Sequence, residues 1–314
     1  MTAAQLSRST KYIAFALLLS LAACGGDHNE SSGGQPPAAS GEPMSIKGSD
    51  TMVILGQKWA ETYMKKNSGT RIQISGGGSG TGIVALINGT TDICQASRPM
   101  KKSEREKVKA KYGHDVLEIP VAKDGIAVYV HADNPIREIT MQQLEKIYTG
   151  EISNWRDLGG ANQRIIVFGR ENSSGTYGFF MEHVLRDKDF GAAVQTLPGT
   201  AAVVNAVSEE TKAIGYGGDA YSTGVRALAI KKDSAAQAIA PGEVSIMTGT
   251  YPIARDLYFY IGKEFKGAEK EFVEWVMSEE GQGIVKKVGY YPIPKKKLAP
   301  PDSTAADTAK TASK

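Results

Sequence analysis

Three times in this chain a short strand-like run leads through a turn of glycine, serine and threonine into a helical stretch. The segments are Lys47-Gly48-Ser49-Asp50-Thr51-Met52, Ser75-Gly76-Gly77-Gly78-Ser79-Gly80-Thr81-Gly82-Ile83 and Gly169-Arg170-Glu171-Asn172-Ser173-Ser174-Gly175-Thr176-Tyr177. A unit of this kind needs a sheet whose strand ends feed helices, so the recurrence confines the chain to an α/β architecture. Further β-rich runs at 71–74, 116–121, 125–131, 164–168 and 225–230 alternate with helical stretches. A first helix is expected from Thr51 to Lys66, with Leu55, Trp59 and Tyr63 on its apolar stripe. Others should begin near Ser79, Ser103, Thr140 and Ser174, and a final pair covers 268–287. Length and motif spacing suit two lobes, with the chain crossing over at Ala122-Lys123-Asp124 and returning at Thr250-Tyr251-Pro252.

The same three turns carry the chemistry. Glycine lets a backbone approach a ligand closely, and the free N–H groups of a helix's first turn, aided by its dipole, favour an anion. Serine and threonine hydroxyls there add donors, although they are also ordinary helix caps. Arg170 stands four residues before Ser174, so one loop can offer a guanidinium fork beside hydroxyl and backbone donors, a set suited to a tetrahedral oxyanion. Arg98, in Ala96-Ser97-Arg98-Pro99-Met100, is a candidate second arginine.

Competing chemistries fail on detail. A P-loop needs Lys and then Ser or Thr after its last glycine, whereas Gly82 is followed by Ile83-Val84. Gly80-Thr81-Gly82-Ile83-Val84-Ala85 matches the dinucleotide pattern G-x-G-x-x-A, but no acidic residue follows about 20 positions on in a clear second strand. Neither Ser79 nor Ser174 sits in Gly-x-Ser-x-Gly, and His28, His114, His131 and His183 lie apart from every motif. No ligand cluster has metal-site spacing, so neither metal nor cofactor is expected.

The N-terminus points to export. Arg8 and Lys11 precede an apolar run from Tyr12 to Ala23 that is too short to span a bilayer and suits a signal peptide over 1–23. It ends in Leu21-Ala22-Ala23-Cys24, which resembles the bacterial lipobox, so Cys24 is expected to become a lipidated N-terminus. Residues 24–43 read as a flexible tether, and 295–314, opening on Lys295, Lys296 and Lys297, as a disordered tail. The chain has 37 Lys and Arg against 34 Asp and Glu; loss of Arg8 and Lys11 with the leader makes it nearly neutral. No basic excess of the kind nucleic-acid binding requires is present. Cys94 would then have no partner for a disulfide.

In their order, Gly-Ser-Asp-Thr (48–51), Gly-Gly-Gly-Ser-Gly-Thr-Gly-Ile (76–83), Thr-Asp-Ile-Cys-Gln-Ala-Ser-Arg-Pro-Met (91–100) and Arg-Glu-Asn-Ser-Ser-Gly-Thr (170–176) resemble the periplasmic phosphate-binding proteins of ABC-type phosphate importers. Ala213-Ile214-Gly215-Tyr216, Thr250-Tyr251-Pro252-Ile253 and Tyr291-Pro292-Ile293-Pro294 extend the likeness over residues 44–294. The resemblance implies a type II periplasmic-binding-protein fold, two lobes joined by a two-strand hinge, closing over one dehydrated phosphate. The expected division is 44–122 plus 252–294 for one lobe and 123–251 for the other. By motif, Thr51, Ser79, Arg170, Ser174, Gly175 and Thr176 are the implied contacts, and Gly80 of the glycine-rich turn is a further candidate. The implied partners are inorganic phosphate, an ABC-transporter permease and, through the lipid only, a membrane; the protein is expected to be a non-enzymatic monomer.

Two departures from the family pattern bear on the anion. Many members carry an aspartate where Arg98 stands, which accepts the proton of hydrogen phosphate, and another where Asn172 stands. Asp50, beside Thr51 at the start of the first helix, is the candidate replacement acceptor. Two alternatives stay open on sequence alone: a binding protein for another oxyanion such as sulfate, molybdate or tungstate, and an extracytoplasmic phosphatase.

Overall fold

A computed structural model describes residues 42–293. The leader, Cys24, nearly all of the tether and the tail therefore lie outside the described residues. The chain forms β1 (Met44–Gly48), α1 (Val53–Lys66), β2 (Ile72–Ser75), α2 (Ser79–Asn88), β3 (Ile93–Ala96) and α3 (Lys102–Tyr112). There follow β4 (Leu117–His131), β5 (Glu138–Thr140), α4 (Met141–Thr149), β6 (Ile166–Arg170), α5 (Gly175–His183), β7 (Gln195–Leu197) and α6 (Gly199–Glu209). The remainder comprises β8 (Ala213–Gly218), β9 (Val225–Ala227), β10 (Ala229–Lys231), α7 (Glu243–Met247), β11 (Ala254–Ile261), α8 (Gly267–Val276) and α9 (Glu279–Val288).

The main sheet has the order β2-β1-β3-β11-β4-β8-β6-β7, with β9 also on β4, while β10 and β5 form a separate ribbon. Strands β1, β2 and β3 are parallel because α1 and α2 return the chain across the sheet between them. Strand β4 ties the two halves together. It runs antiparallel to β11 over Leu117–Gly125 and then antiparallel to β8 over Ile126–Val130.

Each half has its own apolar packing. Ile46, Leu55, Trp59, Tyr63, Phe259, Phe272 and Val285 bring α1, α8 and α9 against one half. Trp59 is fully buried, donates its indole N–H to the Gly281 carbonyl at 2.8 Å and meets Phe259 edge to face at 5.7 Å. The other half centres on Tyr148, Phe180 and Tyr216, with Phe180 stacked on Tyr216 at 3.9 Å. The stripe anticipated on the first helix is buried, as its spacing requires.

Three boundaries differ from the sequence expectation for physical reasons. The runs at 116–121 and 125–131 form one strand, because the polar break between them is matched in register on β11: Lys123 faces Asp256 and Asp124 faces Arg255. The run at 225–230 divides at Leu228, since Val225–Ala227 pairs with β4 and Ala229–Lys231 with β5. Helix α1 starts at Val53, after a tight 3-10 turn over Asp50–Met52. Among the described residues, no helix is long and apolar enough to cross a membrane.

Replacing Trp59 with alanine removes a large buried ring and leaves the Gly281 carbonyl without its donor. Trp59→Ala should destabilise the protein by about 3–5 kcal/mol, read as a shift of the urea midpoint.

Candidate functional site

The three glycine-hydroxyl turns meet where the halves of the sheet face one another. From the first, the Thr51 hydroxyl lies 3.0 Å from that of Thr176, which belongs to the third. From the second, Ser79 opens α2, and its hydroxyl accepts the Ser97 amide at 3.0 Å. Gly80 N–H donates to the Ser173 carbonyl at 2.9 Å, so the second and third turns touch directly. Ser174 caps α5, its Oγ accepting the amides of Thr176 at 3.1 Å and Tyr177 at 3.3 Å. That leaves the Ser174 hydroxyl hydrogen free to donate elsewhere.

Glycine at two positions makes this approach possible. Gly78 has φ +92°, and a Cβ there would lie 2.4 Å from the Ser173 carbonyl oxygen. At Gly175 the dihedral is ordinary, and the constraint is space: a Cβ would fall 2.3 Å from the Ser79 hydroxyl and 2.6 Å from that of Ser97.

Arg170 is 1 % exposed, and all but one of its guanidinium N–H groups are engaged. Its guanidinium donates to Thr200 Oγ1 at 2.9 Å, to Asp50 Oδ2 at 2.9 Å and, through two nitrogens, to Glu171 at 3.0 and 3.2 Å. Asp50 thus bridges the first and third turns, because its other oxygen accepts the Gly77 amide at 2.8 Å. Arg98 is placed differently. Its guanidinium is paired with both oxygens of Glu104 at 2.8 Å and donates to the Pro99 carbonyl at 2.9 Å, tying the end of β3 to α3. A carboxylate of the next helix therefore occupies the side chain that sequence reasoning offered as a second anion contact.

A second arginine does reach the cluster, and sequence reasoning missed it. Arg255, on β11, donates through Nη2 to Thr51 Oγ1 at 3.3 Å and Thr176 Oγ1 at 3.1 Å, and through Nη1 to the Ser97 carbonyl at 2.9 Å. Its Nε and Nη2 both grip Asp124 Oδ2, at 3.0 and 2.8 Å. Asp124 is completely buried, and its Oδ1 has no hydrogen-bond partner among the described residues. The Asp219 amide is near enough to favour the carboxylate, yet it does not meet Oδ1 in hydrogen-bonding geometry. Burial pushes the Asp124 carboxyl up from its ordinary range, and the Arg255 guanidinium opposes that shift. Leaving a buried acceptor unpaired costs about 1–3 kcal/mol.

Asp124 and Ser97 were both legible as positions, one in the crossover and one beside Arg98, but neither sits in a glycine-rich turn. The one available signal was a charged pair, Arg255 and Asp256, inside an otherwise apolar strand. The Tyr290 hydroxyl holds the Thr51 carbonyl, and burial keeps that phenol protonated by raising its pKa well above the usual range.

Comparison with known proteins bears on this arrangement. A family model described as a PBP superfamily domain matches residues 32–280. The phosphate-binding protein PstS of Pseudomonas aeruginosa is 38 % identical over 270 residues, covering 81 % of this chain and 84 % of that one. PstS of Bacillus subtilis is 31 % identical over 284 residues, covering 88 % and 91 %. A Clostridium perfringens substrate-binding protein assigned to phosphate ABC transport, solved with bound phosphate, superposes with a TM-score of 0.73 at 30 % identity. That match covers 81 % of this chain and all of the solved one. An α/β sheet curled into two lobes, with helix starts converging between them, is the periplasmic-binding-protein fold, and the chain belongs to the PBP superfamily as a member of the PstS phosphate-binding protein family.

Proposed function

We propose that this protein captures inorganic phosphate outside the cytoplasm and delivers it to the permease of an ABC importer. The observation that carries the reading is the convergence of three helix starts and four hydroxyls, those of Thr51, Ser79, Ser174 and Thr176, with a buried arginine from each side. Backbone and hydroxyl donors in a water-poor cleft are what a dehydrated tetrahedral anion needs. The PstS names of the relatives and the phosphate bound in the Clostridium perfringens structure support the same ligand.

The binding residues we assign are Thr51, Ser79, Arg170, Ser174, Gly175 and Thr176, together with Arg255, while Asp50 and Gly80, whose polar groups are taken up by neighbouring turns, hold those turns together. Arg98 acts from outside the cluster by fixing the end of β3. The lobes divide as 44–122 with 252–294 and 123–251, a division supported by the separate apolar cores and by β4 and β11 serving both. All of these residues belong to one chain, which supports action as a monomer, and the names of the PstS relatives support a carrier rather than an enzyme. Cys24 supplies a lipid anchor that holds the carrier near its importer.

Three outcomes follow. Purified full-length protein should bind one phosphate, seen by native mass spectrometry and titration calorimetry, and Arg170→Ala should weaken binding at least about ten-fold. A wild-type protein that takes up no phosphate would overturn the assignment. Gly175→Ala should also lower phosphate affinity by about ten-fold or more, with a melting temperature close to wild type, because the added methyl group obstructs the approach of Ser79 and Ser97. Radiolabelled fatty acid should be incorporated by the wild type in cells and be absent from Cys24→Ser; persistent label would place the anchor elsewhere.

A further inference from the structure

We infer that the short turn Asp219–Tyr221, which leaves the 123–251 lobe and seats itself on the other, is a clasp that slows phosphate release, with Tyr221 setting the rate from outside the anion contacts. The inference rests on the phosphate reading and adds to it a determinant of how long the anion is held.

Asp219–Tyr221 is a single 3-10 turn at the end of β8, and each of its residues meets the opposite lobe by a different kind of contact. Asp219 Oδ2 accepts the Tyr291 hydroxyl at 2.7 Å. Ala220 packs against the apolar cluster of Ile46, Trp59 and Phe259, which belongs to the other half of the sheet. It also lies beneath Gly289, where φ is +97° and a Cβ would come 3.5 Å from the Ala220 Cα and Cβ. The Tyr221 hydroxyl donates to the Asp50 carbonyl at 2.9 Å. Ser222 keeps the turn in shape, its amide and hydroxyl both donating to the Asp219 carbonyl, at 3.0 and 2.7 Å. Burial pushes the Tyr221 phenol up to about 12, so the hydroxyl remains a donor at neutral pH.

The clasp is joined to the anion site at both of its ends. Gly218, the residue before it, borders Thr51, because a Cβ there would lie 3.0 Å from Thr51 Cγ2. Asp50, which receives Tyr221, is the residue before Thr51. The Thr51 carbonyl is held by Tyr290, so two successive carbonyls of the first turn are held by one tyrosine from each lobe. A bond that joins the lobes exists only while they are together, and its free energy enters the closed arrangement alone. An arriving anion meets a cleft in which this bond has not formed, whereas a departing one waits for it to break. The hydroxyl of Tyr221 therefore acts on release and not on association. The Asp50 carbonyl also accepts the Val53 amide within its own turn, so loss of the Tyr221 hydroxyl leaves no acceptor without a partner.

The test loads full-length wild type and Tyr221→Phe with radiolabelled inorganic phosphate and chases with unlabelled phosphate. Tyr221→Phe keeps the ring and should release the label about two- to ten-fold faster than wild type, with association unchanged. Its melting temperature without phosphate should match wild type, and only the rise on adding phosphate should shrink. A turn that serves the fold alone would lower both melting temperatures equally and leave release unchanged, which overturns the clasp. Tyr291→Phe removes the bond to Asp219 from the other lobe; it should also speed release, and it decides the matter should Tyr221→Phe fail to fold. Label retained by wild type and released no faster by the variants overturns the clasp and leaves phosphate capture standing. Wild-type protein that takes up no label overturns both readings together.

Discussion

The ion pair between Arg255 and Asp124 is the interaction on which the site depends. The two residues stand directly opposite each other in the antiparallel register of β11 and β4, the strands that serve both halves of the sheet. Both side chains are buried, with 1 % and 0 % of their surface exposed. Removing either partner would leave an uncompensated charge in the interior, a cost of about 3–5 kcal/mol. With the pair intact, the guanidinium has a fixed origin from which its remaining hydrogens reach the Ser97 carbonyl and the two threonine hydroxyls. One strand pairing thus sets the position of groups from the first and third turns and from the end of β3.

Charge accounting then limits how an anion can be held. The two buried arginines face Asp50, Glu171 and Asp124, so the side chains of the cluster carry no positive excess. Attraction by net charge is therefore not the source of affinity. What remains are oriented dipoles: the positive ends of α2 and α5, and hydroxyls of Thr51, Ser79, Ser174 and Thr176. Dipoles act over a few ångströms and are strong only where water is excluded, which ties binding to the close contact of the turns. Arginines already paired with carboxylates also recognise shape better than charge, because the direction of any remaining N–H is fixed by the partners of the others.

The sequence made the helix starts legible because they are local. A glycine-rich turn, a hydroxyl cap and an apolar stripe lie within a dozen residues, and Ser79, Ser174 and the Leu55-Trp59-Tyr63 stripe occupy the places such patterns specify. Arg170 was legible for the same reason, since it precedes the cap it works beside. Arg255 was not, because its partners are 131, 158 and 204 residues away in the chain and only the strand register joins them. The strand break expected near Asp124 has the same origin: a polar interruption reads as a loop until its cross-strand charges are known. Arg98 shows the converse limit. An arginine at a strand end next to a motif invites a ligand role, while Glu104, six residues on, sits at the point of α3 that lets it take the guanidinium at both oxygens.

The glycines of the second and third turns make closure a matter of sterics as well as attraction. At Gly78 and Gly175 the backbone of one turn comes against Ser173, Ser79 and Ser97, with no room for a side chain, and at Gly80 the fit to Ser173 is tight. Contacts this close exist only when the lobes are together, so they contribute to the closed arrangement and vanish in any open one. A ligand shifts that balance by no more than the difference between what it gains in each arrangement. Amides and hydroxyls that converge only on closure provide such a difference, whereas Arg170, bound to Glu171 within its own turn, offers part of its contact in either state. Its bond to Asp50 is the part that spans the cleft. That cleft-spanning ion pair adds to closure alongside whatever the anion contributes.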